Sequence, residues 1–549
     1  MSSPPNLRPE LARHLSQRLE AFSDGFRHNL ALIGPPGSGK SFQLQQLVAA
    51  APNTLTLISC SLYRESCRSF LTRLLGATLQ AGCIAVGQRQ AFGVPDRNDS
   101  TTDQWLVPAQ PLEQMVRTAE PVLPNTAAAI RTIEPLVNRR SYAEAFTRTL
   151  DTIPVLAEEL RQPTVLILDE FLYLEELGLG HAFHELGKRV MTWPSTLFIL
   201  SSSATYRARA ILRERLQLLF GQFELLTLES LEPSTASEWV HQALVGIRRA
   251  DMVSPFLLRW LGAYPWYLTL FLKRFKELAA LGHRFDEPEH LFLQTAWDLL
   301  GSPEGPLHQW CVSRIESLVH ARSGARALDT LIHVAGGART ATEIGSRIGR
   351  AGLSTALQAL VEHDLVQRNG SCWLVTDPVV RCWLSSVLLA RRTNAQSDET
   401  LVRHRFEQYL RSLWVHWEQL HQLSFSEQVV HLFERFDDET VWLDSKTGRL
   451  PKFDSIRTEW TANSAAYIIA DGGGRRWCAT VQERAVAESD ISSFERFCRS
   501  QQPKPSRKVV ITRTGLDQNA RLLAKTSNMW VWQPSDLSLL AGLYGAQHR

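Results

Sequence analysis

Long apolar runs, paired cysteines and a strong net charge are all missing from this chain of 549 residues. No apolar stretch approaches the ~20 residues that a membrane-spanning helix requires, and the opening letters MSSPPNLRPELARHL lack the apolar core of a secretion signal. The eight cysteines, spread from Cys60 to Cys498, include no C-x-x-C pair, which argues against a zinc site and predicts reduced, mostly buried thiols. We therefore expect a cytoplasmic protein that makes no membrane contact.

The near-neutral charge narrows the choice of partner. A formal net charge of +3 gives the chain no overall basic character, so any binding of nucleic acid must come from local patches. With 44% hydrophobic residues, a chain of this length is too long for a single core. We expect a globular protein of about three or four domains.

The stretch NLALIGPPGSGKSFQLQQLVAAAP carries the strongest signal in the sequence. It reads as a short apolar strand, a loop with the spacing G-x-x-x-x-G-K-S, and a helix with leucines on one face. The loop glycines let backbone N–H groups turn towards phosphate oxygens, Lys40 supplies positive charge, and Ser41 offers its hydroxyl to Mg²⁺. The pattern predicts an ATP and Mg²⁺ site rather than a simple glycine turn. The residues expected to hold the nucleotide are Gly34, Pro35, Pro36, Gly37, Ser38, Gly39, Lys40, Ser41 and Phe42.

A second stretch, PTVLILDEFLYLEEL, supplies the acidic half of such a site. Four apolar residues lead to Asp169, which we expect to hold Mg²⁺ through water, and to Glu170, which we expect to orient or deprotonate an attacking water. An apolar strand ending in Asp-Glu is common by itself. Together with the phosphate loop it predicts catalytic roles for Lys40, Asp169 and Glu170.

The stretch WPSTLFILSSSATYRARAILRERL is a third buried strand that ends in hydroxyls. Since parallel strands bring their carboxyl ends to one crevice, Ser201 or Ser202 is a candidate sensor of the γ-phosphate; the alternative is that the serines merely begin a loop. At most one of the arginines that follow acts as a catalytic finger, and the others form a solvated helix face. These arginines are Arg207, Arg209, Arg213 and Arg215.

These motifs resemble the archaeal-type P-loop ATPases of the STAND clade, which are related to AAA+ proteins. The resemblance rests on GPPGSGKS, VLILDE, LFILSSS, LTLESLEPSTASEWV and LGAYPWYLTLF. It implies a helical lid from Pro233 to about Asp286, followed by a linker to residue 320, with Pro265 near the nucleotide and Tyr267 beside it. The alternative for Pro265 is an ordinary helix start.

The chain departs from this family at one position. Family members often carry an arginine just before the strand that leads to the lid, where LLFGQFELLTL has Gln222. Transition-state charge would then fall to Arg213, Arg215 or a partner subunit, which predicts slow hydrolysis and favours a homo-oligomer.

An insertion is expected within this core, from about residue 82 to 141. The stretch is rich in Pro, Asn, Thr and Gln, with helical spacing near LEQMVRTAE. It is either a surface for a protein partner or tolerated decoration.

Residues 321–395 show three helical patterns and two short strand patterns around Asn369-Gly370, which is typical of a winged helix. The expected reading helix, Leu353–His363, offers Ser354, Thr355 and Gln358 but no cation; Arg350 and Arg368 flank it. Two interpretations remain open: direct DNA binding, or packing within the chain or contact with another protein.

The last segment, residues 396–549, resembles the restriction-endonuclease-like PD-(D/E)XK module found at the carboxyl end of the same ATPases. The resemblance places the helix acid at Glu427, the metal-binding aspartate at Asp454 and the E-x-K triplet at Gln482, Glu483 and Arg484. Gln482 lacks the negative charge of the expected carboxylate, and Arg484 lacks the compact ammonium of the expected lysine. Mg²⁺-dependent cleavage requires both groups. We expect a nuclease-like fold without activity; the alternatives are a living nuclease and an unrelated α/β domain.

The predicted fold class is α/β, with a P-loop NTPase core of the AAA+/STAND type in residues 1–232. A helical lid and linker (233–320), a winged helix-turn-helix and the nuclease-like domain follow. The predicted function is a slow, Mg²⁺-dependent ATP switch with DNA as a candidate partner. The rivals are an ATP-gated nuclease and a scaffold that binds ATP without hydrolysing it.

Overall fold

The computed structural model describes nine stretches of the chain: residues 6–88, 110–214, 223–247, 250–281, 288–319, 324–393, 399–443, 446–460 and 466–545. The chain divides into two compact units. The first comprises Met1–Ala243 and Ala263–Thr269, and the second comprises Leu244–Gly262 and Leu270–Arg549. The division runs through the segment expected to form the lid.

The first unit is an α/β fold around a five-stranded sheet with the order β2-β3-β4-β1-β5. All pairings in this sheet are parallel. Its strands are β1 (Asn29–Ile33), β2 (Thr56–Ser61), β3 (Thr164–Asp169), β4 (Thr196–Ser202) and β5 (Phe223–Thr227). Its helices are α1 (Pro9–Ser23), α2 (Lys40–Ala50), α3 (Cys67–Ala85), α4 (Leu112–Ala119), α5 (Pro124–Arg131), α6 (Glu134–Asn138), α7 (Tyr142–Leu160), α8 (Ala182–Thr192), α9 (Thr205–Glu214) and α10 (Pro233–Ala243).

Burial explains why the three central strands are continuous apolar runs. Every residue of β1, β3 and β4 is buried, because helices cover both faces of the sheet. Alternate side chains of these strands enter two separate cores, one beneath α1 and α2 and the other beneath α3 and α7. The edge strands β2 and β5 are only partly buried.

The expected insertion contributes to the core of this unit. Helix α3 continues to Ala85, past the expected start of the insertion at residue 82. The helix expected near LEQMVRTAE is confirmed as α4, and α5 and α6 follow it. Met115, Ile130 and Val137 on these helices are buried in the core beside α3 and α7, so residues 112–138 are not merely surface decoration. Residues 89–109 of the insertion lie outside the described part of the chain.

The second unit contains many helices, a five-stranded sheet and two separate two-stranded hairpins. Its helices are α11 (Ala250–Leu261), α12 (Pro265–Ala280, whose first residues belong to the first unit), α13 (Pro288–Ala296), α14 (Pro306–Val319), α15 (Gly324–Ala335), α16 (Ala341–Ile348), α17 (Leu353–Glu362), α18 (Pro378–Trp383), α19 (Leu389–Thr393), α20 (Glu399–Gln422), α21 (Phe425–Phe433), α22 (Glu488–Ser500), α23 (Gln518–Thr526) and α24 (Pro534–Tyr544). Its strands are β6 (Val366–Asn369), β7 (Cys372–Val375), β8 (Glu439–Leu443), β9 (Lys446–Leu450), β10 (Ser455–Trp460), β11 (Ala466–Gly472), β12 (Arg475–Gln482), β13 (Arg507–Thr512) and β14 (Trp530–Trp532).

The segment expected to be a winged helix has helices α15, α16 and α17 followed by the antiparallel hairpin of β6 and β7. Asn369 pairs with Cys372 across the two-residue turn Gly370-Ser371. This is the order of elements that the sequence predicts.

The carboxyl-terminal part of the second unit is a mixed five-stranded sheet with the order β10-β11-β12-β13-β14. Strands β10, β11 and β12 are antiparallel, whereas β12, β13 and β14 run parallel. Helices α21 and α24 contribute to the core on one face, and α22 and α23 contribute to the core on the other. The separate hairpin of β8 and β9 packs on the first of these faces, where Gly448 lies against the ring of Trp530.

The prediction for the cysteines is confirmed: all eight are free thiols and all are buried. Within the described stretches, the helices are all too short or too polar to span a bilayer.

Candidate functional site

The candidate site lies in the first unit, at the carboxyl ends of β1, β3 and β4. These strands are neighbours in the sheet and run in the same direction, so the segments that leave them meet at one edge. The phosphate loop follows β1, and Asp169 ends β3. Ser201 and Ser202 end β4, and Ser203 comes directly after them. The parallel topology therefore brings together motifs that are far apart in the sequence.

The phosphate loop has the backbone that its glycines predict. Gly37 and Gly39 have φ angles of 76° and 95°, in the left-handed region that favours glycine. Gly34 is required for a different reason: a Cβ there would lie 2.1 Å from the carbonyl oxygen of Leu228. Helix α2 begins at Lys40, directly after the loop, so its amino-terminal N–H groups are available to a phosphate.

Lys40 is buried and its ammonium is held by the loop itself. Its Nζ donates to the carbonyl oxygens of Gly34 (2.8 Å) and Pro35 (3.2 Å) and to the hydroxyl of Ser203 (2.9 Å). All three of these acceptors are neutral oxygens, and the Lys40 charge also favours the ionised form of the nearby Glu170 carboxyl.

Asp169 connects the hydroxyl of Ser41, which is expected to bind Mg²⁺, to that of Ser201, which is a candidate sensor of the γ-phosphate. Its Oδ2 accepts a hydrogen bond from Ser41 (2.8 Å), and its Oδ1 accepts one from Ser201. One carboxylate and one hydroxyl at this distance match the hard oxygen ligands that Mg²⁺ prefers. The structure thus brings Ser41 and Asp169 together, as the sequence predicts.

Glu170 is fixed by Ser203. The Ser203 N–H donates to one carboxylate oxygen of Glu170 (2.9 Å) and its hydroxyl donates to the other. Glu170 itself has a left-handed backbone, with φ 57°, which is uncommon for a residue other than glycine and occurs often at functional sites. Burial raises the pKa of the Glu170 carboxyl above its ordinary value, although Lys40 and Ser203 act in the opposite direction.

The start of α12 lies beside the phosphate loop. The Trp266 N–H donates to the carbonyl oxygen of Gly37 (3.3 Å), and the Pro265 ring approaches the Cβ direction of Gly39. The buried Tyr267 also lies close to Gly37. The two residues that the family resemblance assigned to this place, Pro265 and Tyr267, are therefore next to the loop.

Sequence reasoning missed Ser203, which links Lys40 to Glu170, and it missed the contact of Trp266. A signal for Ser203 was present, because it is the third serine of the run that supplied the candidates Ser201 and Ser202, directly after the end of β4. Ser202 instead accepts a hydrogen bond from the N–H of Ala204 at the end of the strand (3.1 Å).

The four candidate arginines are not equivalent. Arg207 pairs with Glu175, and Arg209 donates to the hydroxyl of Thr227 (3.2 Å). Arg213 lies in the last turn of α9. Arg215 and the family departure at Gln222 lie outside the described residues.

In the second unit, the residues of the expected nuclease site do not all meet. Asp454 precedes β10 and accepts a hydrogen bond from the N–H of Gly473 (3.3 Å), in the turn where β12 begins. Gln482 lies at the opposite end of β12, roughly 20 Å or more away at ~3.3 Å per residue. The antiparallel register causes this separation, because the start of β10 pairs with the end of β11. The segment 461–465, which precedes β11, lies outside the described residues; its letters TANSA include no carboxylate.

The two remaining residues of that expected site have structural partners. Glu427 forms the capping box of α21 with Ser424, and hydrogen bonds from Ser424 lower the pKa of its carboxyl. Arg484 donates to Asp490 (2.7 Å) at the start of α22. Gln482 is buried, and among the described residues its Oε1 has no hydrogen-bond partner.

The tip of the β6–β7 hairpin is bound to strand β8 of the same unit. The Asn369 side chain makes two hydrogen bonds with the backbone of Trp442, at 2.9 and 2.7 Å. The Ser371 N–H donates to the carbonyl oxygen of Thr440 (2.8 Å), and the Ser371 hydroxyl accepts from the Thr440 N–H (2.9 Å). The hairpin tip thus satisfies backbone groups along the edge of β8 that β9 does not pair.

Comparisons with known proteins give matches among solved structures only. No protein-family model matches the chain, and no curated protein does. The Walker-type ATPase PABY2304 of Pyrococcus abyssi is similar over 69% of this chain and 95% of its own, with 17% identity and a TM-score of 0.44. The Aeropyrum pernix ORC2 protein in its ADPNP-ADP complexes is similar over 74% of this chain and 96% of its own, with 14% identity and a TM-score of 0.40.

A third similar structure, Drosophila ORC bound to DNA, matches 70% of this chain and 87% of its own, with 12% identity and a TM-score of 0.29. Because identity and TM-score are low in all three cases, we base no functional conclusion on them. The parallel sheet and the phosphate loop at its carboxyl edge are themselves consistent with a P-loop NTPase core.

Proposed function

We propose that this chain is a Mg²⁺-dependent ATP-binding and hydrolysing switch, related to the archaeal-type P-loop ATPases of the STAND clade. The observation that carries the proposal is the pair of linked contacts at the sheet edge. Lys40 and Glu170 share the hydroxyl of Ser203, while Ser41 and Ser201 share the carboxylate of Asp169. Phosphate, metal and water positions each have a residue of suitable chemistry.

The loop fits a nucleotide triphosphate. Gly37 and Gly39 allow the left-handed backbone that can turn N–H groups towards a phosphate, and the Nζ of buried Lys40 lies at the same loop. Ser41 and Asp169 are the residues that would hold Mg²⁺, directly or through water. When bound, Mg²⁺ would neutralise charge on the phosphate oxygens.

Glu170 is the residue we assign to the attacking water. At rest both of its oxygens accept from Ser203, whose hydroxyl also accepts from Lys40. Movement of the Lys40 ammonium towards a phosphate would remove that last hydrogen bond and leave Ser203 bound to Glu170 alone. Ser203 thereby connects occupancy of the phosphate loop to the position of the base.

We propose a binding or structural role, not cleavage, for the nuclease-like domain. Asp454 lies far from Gln482, and Arg484 is engaged by Asp490. In the proposed winged helix, α17 would be the helix that contacts DNA. The tip of the β6–β7 hairpin is instead bound to β8. DNA therefore remains a candidate partner through the helix face, and a protein partner remains a candidate through residues 112–138.

Steady-state ATP turnover with Mg²⁺, measured with and without duplex DNA, tests the proposal. Lys40→Ala should abolish nucleotide binding, and Glu170→Gln should retain binding but lose turnover by roughly 10²-fold or more, as expected for removal of a positioned base. Arg449→Gln, on the exposed surface of the second unit, serves as the matched control. If Glu170→Gln turns over like the parent, Glu170 does not position the water. If the parent binds ATP without turnover, the chain is a scaffold that binds ATP without hydrolysing it. If the parent cleaves DNA and Asp454→Ala abolishes that cleavage, the chain is an ATP-gated nuclease.

A further inference from the structure

The outer edge of the carboxyl-terminal sheet is exposed along the whole of β10. This strand is the first in the sheet order, and no strand of the described residues pairs with its other side. None of its residues is fully buried, and Trp460 at its end keeps 61% of its surface accessible. The free N–H and C=O groups of such an edge are a template for another strand. The accessible tryptophan adds apolar surface to that template.

The side chains of β10 divide between the two faces of the sheet. Ile456, Thr458 and Trp460 are opposite residues of β11 that enter one core, and Arg457 and Glu459 alternate with them on the other face. If two copies pair antiparallel about a two-fold axis perpendicular to the sheet, each face continues into the same face of the other copy. Residues directly opposite each other must then come from the same alternating set.

This rule leaves few registers with substantial overlap, and charge distinguishes them. Centring the axis on Arg457 places two arginines opposite each other, and centring it on Glu459 places two glutamates opposite each other. Centring it on Thr458 places Arg457 opposite Glu459 of the partner subunit, and symmetry repeats the pair. Opposite charges at facing positions stabilise a strand pair and like charges destabilise it. The sequence of β10 is therefore complementary to itself in one register.

The two charged residues are available for this contact. Arg457 forms an exposed ion pair with Asp471 at 3.5 Å, whereas Arg476 holds the same carboxylate more closely, with hydrogen bonds of 2.7 and 3.0 Å. The Arg457 side chain keeps 61% of its surface exposed. Within the described part of the chain, the Glu459 carboxylate has neither a hydrogen bond nor an ion pair.

The same register also pairs apolar side chains. With Thr458 on the axis, Ile456 lies opposite Trp460 of the partner subunit, on the face where Ile456 already packs against the core. Aromatic and β-branched residues are favourable cross-strand neighbours. The pairing would cover the exposed indole at both ends of the interface.

We propose that two copies of this chain form a dimer by antiparallel pairing of β10 with β10, centred on Thr458. Charged residues on an edge strand usually prevent pairing. Here the positive Arg457 and the negative Glu459 are two residues apart, so they destabilise only the registers in which like charges face each other. The proposal depends on the carboxyl-terminal sheet and not on nucleotide, so it stands or falls separately from the proposed ATPase function.

A charge exchange tests the proposal on the full chain, by analytical ultracentrifugation in the absence of ATP and Mg²⁺. We expect the parent to dimerise. Arg457→Glu and Glu459→Arg should each raise the dimer dissociation constant by roughly tenfold or more, because each turns two attractions into two repulsions. Arg496→Glu, an exposed charge on α22, should have no effect.

The decisive observation is made on mixtures. Each single variant carries two like charges on β10, so Arg457→Glu and Glu459→Arg are complementary to each other and should form a heterodimer when combined. The double variant should dimerise with itself again. A parent that stays monomeric, or single variants that dimerise as the parent does, would overturn the proposal. All three positions tested are on the surface, and circular dichroism can establish that every variant is folded.

Discussion

Replacing Glu439 by alanine should destabilise the second unit strongly, although Glu439 is in neither candidate site. This residue begins β8, next to the bound tip of the β6–β7 hairpin, and its side chain is only 5% exposed. Its carboxylate forms an ion pair with Arg339 (3.0 Å), just before α16, and accepts a hydrogen bond from the hydroxyl of Tyr544 (3.1 Å), at the end of α24. The Arg339 guanidinium also lies over the Tyr544 ring, 4.6 Å from its centroid.

The magnitude follows from what the substitution leaves behind. Arg339, with 15% exposure of its side chain, would keep its charge without the carboxylate, and buried Tyr544 would lose its acceptor. Removing one partner of a buried ion pair costs about 3–5 kcal/mol. Burial, together with the Glu439 charge, raises the pKa of the Tyr544 hydroxyl and so favours its protonated, hydrogen-bond-donating form.

Urea unfolding followed by tryptophan fluorescence measures this loss, with the transition of the second unit analysed separately from that of the first. Asp438→Asn is the matched control, because it removes the neighbouring ion pair between Asp438 and Arg449. Both side chains of this pair are more than half exposed, so its loss should cost no more than ~0.5 kcal/mol. Asparagine also tolerates the left-handed backbone of residue 438. If Glu439→Ala costs less than about 1 kcal/mol, the Glu439 carboxylate is not a buried partner of Arg339 and Tyr544 as the contacts indicate.

Two further predictions concern the phosphate loop and its base. Gly34→Ala should destabilise the first unit by about 1–3 kcal/mol and weaken ATP binding, because the new Cβ would collide with the backbone of Leu228. Calorimetry measures this loss. The control is Gly542→Ala, whose new Cβ would meet no atom within 4 Å and should not destabilise the chain. Because the pKa of Glu170 is raised, its carboxyl stays protonated to a higher pH than an ordinary glutamate, whose pKa is about 4.3. As the pH is lowered, turnover should therefore begin to fall at a pH above about 4.3. An acid limb at or below about pH 4.3 would show that the base is not Glu170 in this environment.

The sheet edge of the first unit could be predicted from the sequence because its signals are local. An apolar run that ends in Gly34, in Asp169 or in a serine shows both a buried strand and the place where it stops. The parallel topology then makes these ends neighbours. Ser203 was missed because only Ser201 and Ser202 were considered as candidate sensors, and Ser203 lies one residue beyond the end of β4.

The second unit was harder to predict because its decisive contacts are not local. The letters PKFD resemble a metal-binding motif, but only the register of β10 on β11 shows that Asp454 lies at the far end of the sheet from Gln482. The Asn369-Gly370 turn was predicted correctly as a hairpin. Its binding to Thr440 and Trp442, some seventy residues later, has no signal in the sequence around it.

The bound hairpin tip also restricts which sequences this turn can have. A wing that ends in solvent tolerates insertions and a wide choice of residues. Here a Cβ at Gly370 would lie 2.2 Å from the carbonyl oxygen of Thr440, and Gly370 has a φ of 61°. Related chains that keep this contact should therefore preserve both the length of the turn and its glycine, and an epitope or fluorophore inserted there would separate two parts of the unit rather than label a free loop.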